Sequence, residues 1–220
     1  MAGNRIFPAL YPILDASFLE GVPERADFLR RIVRELAEAG VGILQYRNKT
    51  GSEAEILADT RAMHEAAGER LLLILNDWPE LAIEAGFDGL HVGQTDVGVA
   101  EARRIVGPEK IVGVSTHNET QLRAADNEPV DYIAVGPVFA TATKENPDPV
   151  VGLDGVRMAR AMTKKPLVGI GGITVKNAAQ VVEAGADSVA VISAIFRHGS
   201  EPAMLAGEFF RSLNGVGRKS

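Results

Sequence analysis

Eight short apolar runs alternate along the chain with eight longer stretches of helical periodicity, an order that few folds can accept. The runs fall at residues 7–14, 42–45, 71–75, 89–91, 110–114, 132–135, 167–170 and 188–192. Most are continuously apolar, the pattern of parallel strands covered on both faces. The helical stretches fall at 23–39, 52–67, 79–85, 98–106, 119–125, 153–162, 175–184 and 202–213. In the first, Phe28, Leu29, Ile32, Val33 and Leu36 recur at helical spacing and Gly40 follows as a stop. Ser52 and Glu55 have the spacing of a capping box. Glu-Ala-Gly closes three of the helices, at Gly40, Gly86 and Gly185. The alternation predicts an α/β protein, a single-domain (β/α)8 barrel of the TIM type over residues 1–220. Residues after about 214 read as a frayed tail.

Polar clusters follow seven of the runs. They are Gln45-Tyr46-Arg47-Asn48-Lys49, Asn76-Asp77, Gly93-Gln94-Thr95-Asp96, Ser115-Thr116-His117 and Thr141-Ala142-Thr143-Lys144. The glycines Gly169, Gly171 and Gly172, and the pair Ile192-Ser193, complete the set. An open doubly wound sheet would gather its ligand groups at one switch point. Groups spread over the second to eighth strands fit a barrel better, with one site built from the same end of many strands.

Composition narrows the partners. A formal net charge of −6 argues against a nucleic-acid surface. The densest apolar run, 71–75, is too short to span a bilayer, and the N-terminal residues carry no secretory pattern. The chain has no Cys, which excludes disulfides, thiolate catalysis and Cys-ligated zinc. A cytoplasmic location is the default expectation, and a homo-oligomer is left open.

The chemistry of the clusters points to phosphates and a divalent metal. Asp77 and Asp96 follow neighbouring strands, and magnesium is commonly held by one or two carboxylates with phosphate oxygens and water. The alternative for each is a helix N-cap. Arg47, Lys49 and Lys144 supply cations for a diphosphate, the alternative for the lysines being solvated loops. Gly172, Ile192 and Ser193 lie after the last two strands, where barrels often bind a phosphate on backbone N–H groups. The alternative there is a tight turn that binds nothing. His91 and His117 lie at strand ends, as structural or catalytic groups alike; His64 and His198 have no evident catalytic partner. Two anion subsites without a covalent nucleophile suit the joining of two phosphorylated molecules as pyrophosphate leaves.

These motifs, in their order and spacing over residues 11–196, resemble the thiamine-phosphate synthase (thiamine-phosphate pyrophosphorylase) family. The segments 88–96, 113–117, 136–139, 169–173 and 191–195 carry the likeness together with the clusters at 45–49, 76–77 and 141–144. The resemblance implies a transferase acting on two phosphorylated small molecules. It would join 4-amino-2-methyl-5-hydroxymethylpyrimidine diphosphate to 4-methyl-5-(2-phosphoethyl)thiazole, giving thiamine phosphate and pyrophosphate by a dissociative, Mg²⁺-assisted route. It further implies that Gln45, Tyr46, Arg47, Asn48, Lys49, Asn76, Ser115 and Lys144 contact the pyrimidine diphosphate. Of these, Arg47, Lys49, Ser115 and Lys144 would be catalytic, with Asp77 and Asp96 on the metal. Thr141, Ala142, Thr143, Gly172, Ile192 and Ser193 would hold the thiazole phosphate. A thiazole tautomerase of the same fold and a non-catalytic sensor of thiamine phosphate are the alternatives; Asp96 and Lys144 together favour the synthase.

Overall fold

The apolar runs become the strands of a closed parallel barrel in the computed structural model, which describes residues 7–141, 148–197 and 199–215. The strands are β1 (Leu10–Asp15), β2 (Ile43–Arg47), β3 (Leu72–Asn76), β4 (Gly89–Val92), β5 (Ile111–Thr116), β6 (Tyr132–Val135), β7 (Leu167–Ile170) and β8 (Ser188–Val191). They neighbour one another in chain order, and β1 closes the ring by pairing with β8, Leu10 beside Val189. The helices are α1 (Arg25–Glu38), α2 (Glu53–Ala67), α3 (Pro79–Glu84), α4 (Val99–Val106), α5 (Glu119–Asp126), α6 (Gly152–Met162), α7 (Ala178–Glu183) and α8 (Pro202–Asn214). The expected fold class and element order are therefore the observed ones.

Successive strand side chains point to opposite faces, so each strand serves two cores. Outward residues such as Leu10, Leu14, Leu44, Leu73 and Leu90 pack with Leu29, Leu36 and Phe209 of the helical layer. Inward residues Tyr11, Ile13, Ile43, Ile74, Tyr132, Ala134, Val168 and Ala190 fill the barrel. Two inward-facing glycines make room for them. A Cβ at Gly113 would overlap the Tyr132 ring, and one at Gly89 would meet the Ile111 carbonyl.

A recurrent device closes the N-terminal end of the barrel. Asp88, Asp131 and Asp187 immediately precede or lie one residue before β4, β6 and β8. Each accepts, through its carboxylate at 2.8 Å, a backbone N–H of the preceding strand: Leu73, Val112 and Leu167. Each returns its own N–H to a carbonyl of that strand, those of Leu73, Val112 and Leu167. Gly42 occupies the equivalent place before β2 and can offer only its backbone, which accepts from the Leu72 N–H at 3.1 Å.

Several boundaries differ from those expected, and two of the differences matter. The second strand runs on to Arg47 and the fifth to Thr116, because ladder pairing continues through their polar ends: Asp15 pairs with Arg47, and Thr116 with Val135. The first strand begins at Leu10, where pairing with β8 begins. The Ser52–Glu55 capping box forms as expected. Residues 216–220, expected as a tail, lie outside the described residues. No described helix is long and apolar enough to cross a membrane.

Candidate active site

The strand ends at the C-terminal mouth carry most of the expected side chains, and strand alternation decides which of them face it. Along β2, Gln45 points into the barrel, where its Nε2 donates to the Tyr11 hydroxyl at 3.0 Å. Tyr46 points the other way. It is fully buried in the outer core, and its hydroxyl donates to Asp59 of α2 in a short hydrogen bond. Arg25 of α1 completes this cluster, its Nη2 lying 2.5 Å from Asp59. The structure thus removes the Tyr46 side chain from the expected substrate contacts. A polar strand end still alternates, and Tyr46 falls on the helix side.

Asn48 is a second correction. It is 4% exposed, donates to the Tyr46 hydroxyl at 3.1 Å and accepts the Gly51 N–H at 2.8 Å. Its side chain folds the turn into α2 and does not face the mouth. A Cβ at Gly51 would strike that side chain and force it to shift. Trp78 Nε1 donates to the Asn48 carbonyl at 3.3 Å, tying this turn to the one after β3.

Arg47 and Lys49 do face the mouth. Arg47 pairs with Asp15 at the end of β1, a partner the sequence reading omitted. Asp15 follows an apolar run just as Asp77 does, so the signal was present. Serine hydrogen bonds from Ser17 and the Arg47 guanidinium outweigh burial and hold Asp15 below the usual carboxylate range.

Lys49 Nζ lies 2.6 Å from Asp77 and 3.4 Å from Asp96, so three charged groups from the ends of β2, β3 and β4 converge. Neither aspartate caps a helix. Trp78 holds the N-cap position of α3 and Gly98 that of α4, both without a side-chain cap. Asp77 adopts a left-handed backbone with φ 70, a conformation costing a non-glycine residue about 1–2 kcal/mol. Its N–H donates to the His91 carbonyl at 2.9 Å, which fixes that conformation across the β3–β4 seam. Asp96 accepts the Gly93 N–H at 2.8 Å.

Burial and the adjacent Asp96 carboxylate push Asp77 up to about 6, against the pull of Lys49. Burial also opposes ionisation of Asp96, but hydrogen bonds from Asp77 and Gly93, with Lys49, keep it low. Two crowded carboxylates therefore share one ammonium. Asp77 Oδ1 is buried without a hydrogen-bond partner, and so is the neighbouring Asn76 Nδ2. Among the described residues no group of three or more His, Asp or Glu could hold a metal ion. The donor set is thus two carboxylates with an unpartnered oxygen, which fits Mg²⁺ completed by phosphate oxygens and water.

Below this rim, Ser115 Oγ lies 2.8 Å from His91 Nε2, and His91 Nδ1 lies 2.8 Å from the Tyr132 hydroxyl. Burial drives the His91 imidazole down to about 4, so it is neutral. His117 Nδ1 lies 2.7 Å from the Gly136 carbonyl and Nε2 lies 3.5 Å from Asp148. Across the mouth, Gly171 and Gly172 take positive φ. A Cβ on Gly172 would meet the Ala140 carbonyl, because the segment after β6 packs against the turn after β7. Phe139 N–H donates to the Gly171 carbonyl at 3.0 Å, and Asn177 Nδ2 to the Gly172 carbonyl at 3.1 Å. Ile192 and Ser193 follow β8 next door, opening a turn closed by the Phe196 N–H on the Ile192 carbonyl at 2.9 Å. Thr141 follows Ala140 in the chain, while Ala142, Thr143 and Lys144 lie outside the described residues, as does His198.

The sequence model of the family described as thiamine monophosphate synthase matches residues 10–195. A thiamine-phosphate synthase of Koribacter versatilis (strain Ellin345) is 50% identical over 97% of this chain and 100% of its own. One of Agrobacterium fabrum (strain C58 / ATCC 33970) is 38% identical over 88% of this chain and 89% of its own. Among solved structures, thiamine phosphate pyrophosphorylase from Pyrococcus furiosus superposes with a TM-score of 0.81 at 29% identity, covering 94% of this chain and 96% of that one. Barrel, strand-end site and full-length similarity agree, and the chain belongs to the thiamine monophosphate synthase family.

Proposed function

We propose that this chain joins 4-amino-2-methyl-5-hydroxymethylpyrimidine diphosphate to 4-methyl-5-(2-phosphoethyl)thiazole, forming thiamine phosphate and releasing pyrophosphate. The observation that carries this reading is Lys49 held between Asp77 and Asp96, with Arg47, paired to Asp15, at the end of the same strand that leads into Lys49. That cluster suits a diphosphate and its counter-ion. Asp77 and Asp96 are the residues that would hold Mg²⁺, which when bound neutralises charge on the departing diphosphate.

The chain's own residues divide the remaining work. Arg47 and Lys49 hold diphosphate oxygens, Arg47 oriented by Asp15 and Lys49 by the two aspartates. Gln45, Asn76 and Ser115 are neutral and lie deeper, which suits them to the uncharged pyrimidine ring. Gly172, Ile192 and Ser193, with Thr141, border the opposite side and suit the thiazole phosphate. No protein nucleophile is needed. The bond from the pyrimidine methylene carbon to the diphosphate oxygen breaks with its electrons leaving on oxygen. The thiazole nitrogen lone pair then forms the new C–N bond. The protein stabilises the leaving charge and excludes water from the short-lived cation.

The test is a single-turnover reaction with both substrates, with Mg²⁺ or with EDTA, thiamine phosphate being read as thiochrome fluorescence. Metal-dependent product is expected. Absence of product from folded protein that still binds thiazole phosphate would contradict the proposal and favour a tautomerase or a sensor.

A further inference from the structure

Beneath the site, an unbroken chain of buried hydrogen bonds runs across the barrel from Gln45 through Tyr11, Tyr132 and His91 to Ser115. Its links measure 3.0, 2.9, 2.8 and 2.8 Å. The mechanism above uses the two ends and leaves the three aromatic side chains in the middle without a role. Tyr11 and Tyr132 are 1% and 0% exposed, so each hydroxyl proton has to be donated within the chain.

That requirement sets the direction of every link. Gln45 Nε2 can only donate, so the Tyr11 oxygen accepts from it. The Tyr11 proton then goes to the Tyr132 oxygen. The Tyr132 proton goes in turn to His91 Nδ1. A neutral imidazole with an accepting Nδ1 carries its proton on Nε2, which donates to Ser115 Oγ. Ser115 Oγ has taken its donor, and its own proton is turned toward the mouth. At the other end one of the two Gln45 N–H groups goes to Tyr11, which fixes the plane of the amide and leaves Oε1 as its acceptor.

We propose that Tyr11, Tyr132 and His91 are positioning residues that polarise the pyrimidine pocket, presenting an acceptor at Gln45 and a donor at Ser115. An aminopyrimidine matches that order, because its exocyclic amine donates and its ring nitrogen accepts. A 4-oxo pyrimidine reverses both, setting its carbonyl against Gln45 Oε1 and its ring N–H against the Ser115 proton, a mismatch that polar sites reject. The inference rests on the synthase reading for the identity of the ring. The hydrogen-bond direction stands on the buried chain and can be read without substrate.

The experiment is long-range proton–nitrogen NMR of the ¹⁵N-labelled, substrate-free protein, with His91 identified as the signal absent from His91→Gln. The expected spectrum shows a neutral ring protonated at Nε2 and bare at Nδ1. In Tyr132→Phe, which keeps the ring and loses the donor, the single tautomer should give way to a mixture. A proton on Nδ1 in the native protein, or a tautomer unmoved by Tyr132→Phe, would overturn the proposal. Kinetics supply a separate arm. Glutamine can place its amide near the position of Nε2 and keep the bond to Ser115, whereas asparagine reaches only the position of Nδ1. His91→Asn should therefore lose about 10- to 100-fold more kcat/KM for the pyrimidine diphosphate than His91→Gln, with KM for thiazole phosphate unmoved in both. Equal losses would contradict a positioning role. Failure of the synthase reading would appear differently, as no product from the unsubstituted protein.

Discussion

Lys49 links two strand ends of the rim, since it meets Asp77 at 2.6 Å and Asp96 at 3.4 Å. Asp77 has its carboxyl raised to about 6 by burial and by Asp96. The folded state therefore binds a proton at Asp77 between roughly pH 4 and pH 6 that the unfolded chain, with an ordinary carboxyl value of 3.8, has released. That contribution favours folding at the acid end and is lost as pH rises through about 6. Metal binding needs the ionised form, so Mg²⁺ affinity should strengthen with rising pH and level off above about 6, as calorimetric titration would show. A flat affinity from pH 5 to 8 would contradict the pairing. Tyr46 makes a contrasting prediction. Asp59→Ala would strand the half-buried Arg25 and the Tyr46 hydroxyl, costing about 1–3 kcal/mol in chemical denaturation while leaving KM for both substrates near native. The placement of Gln45, Lys49, Asp77 and Asp96 at or beyond the C-terminal ends of strands was legible because each comes at or just after an apolar run. Tyr46 and Asn48 were misplaced because alternation continues through a polar strand end. The Arg25–Asp59 pair was illegible, since its members lie 34 residues apart with no periodic signal linking them.

Strands and helices were legible to the extent that one face of each is apolar. The capping box at Ser52 and the Gly40 stop gave local signals that the fold uses directly. Boundaries were less legible where ladder pairing, a property of two segments, extends a strand past its apolar run, as at Arg47 and Thr116. The aspartates before β4, β6 and β8 show how one residue can serve an element. Each closes a reciprocal pair of bonds to the strand before it, which staples successive strands at the end of the barrel away from the site. Asp187→Ala should cost about 1–2 kcal/mol in thermal or urea unfolding through the unpaired Leu167 N–H, with kcat/KM unchanged. A fall in kcat/KM without loss of stability would show that the two ends of the barrel are coupled. Gly113→Ala probes the barrel interior. The added methyl would collide with the Tyr132 ring, so about 1–3 kcal/mol of stability should be lost.

For the whole molecule, a closed barrel separates stability from chemistry by placing them at opposite ends of the same strands. The N-terminal ends carry the aspartate staples, and the C-terminal ends carry the cations, carboxylates and glycine turns. Family membership fixes the reaction class, and the structure adds an account of how the rim is charged and how the floor beneath it is hydrogen-bonded. Asp77 and Asp96 together would hold the metal needed for diphosphate departure. The most direct measurement is single-turnover formation of thiamine phosphate by the Asp77→Ala/Asp96→Ala variant beside the unsubstituted protein, both at saturating Mg²⁺. Loss of at least about a thousandfold in rate, with thiazole phosphate still bound, is the predicted result. Turnover undiminished by the double substitution would contradict it.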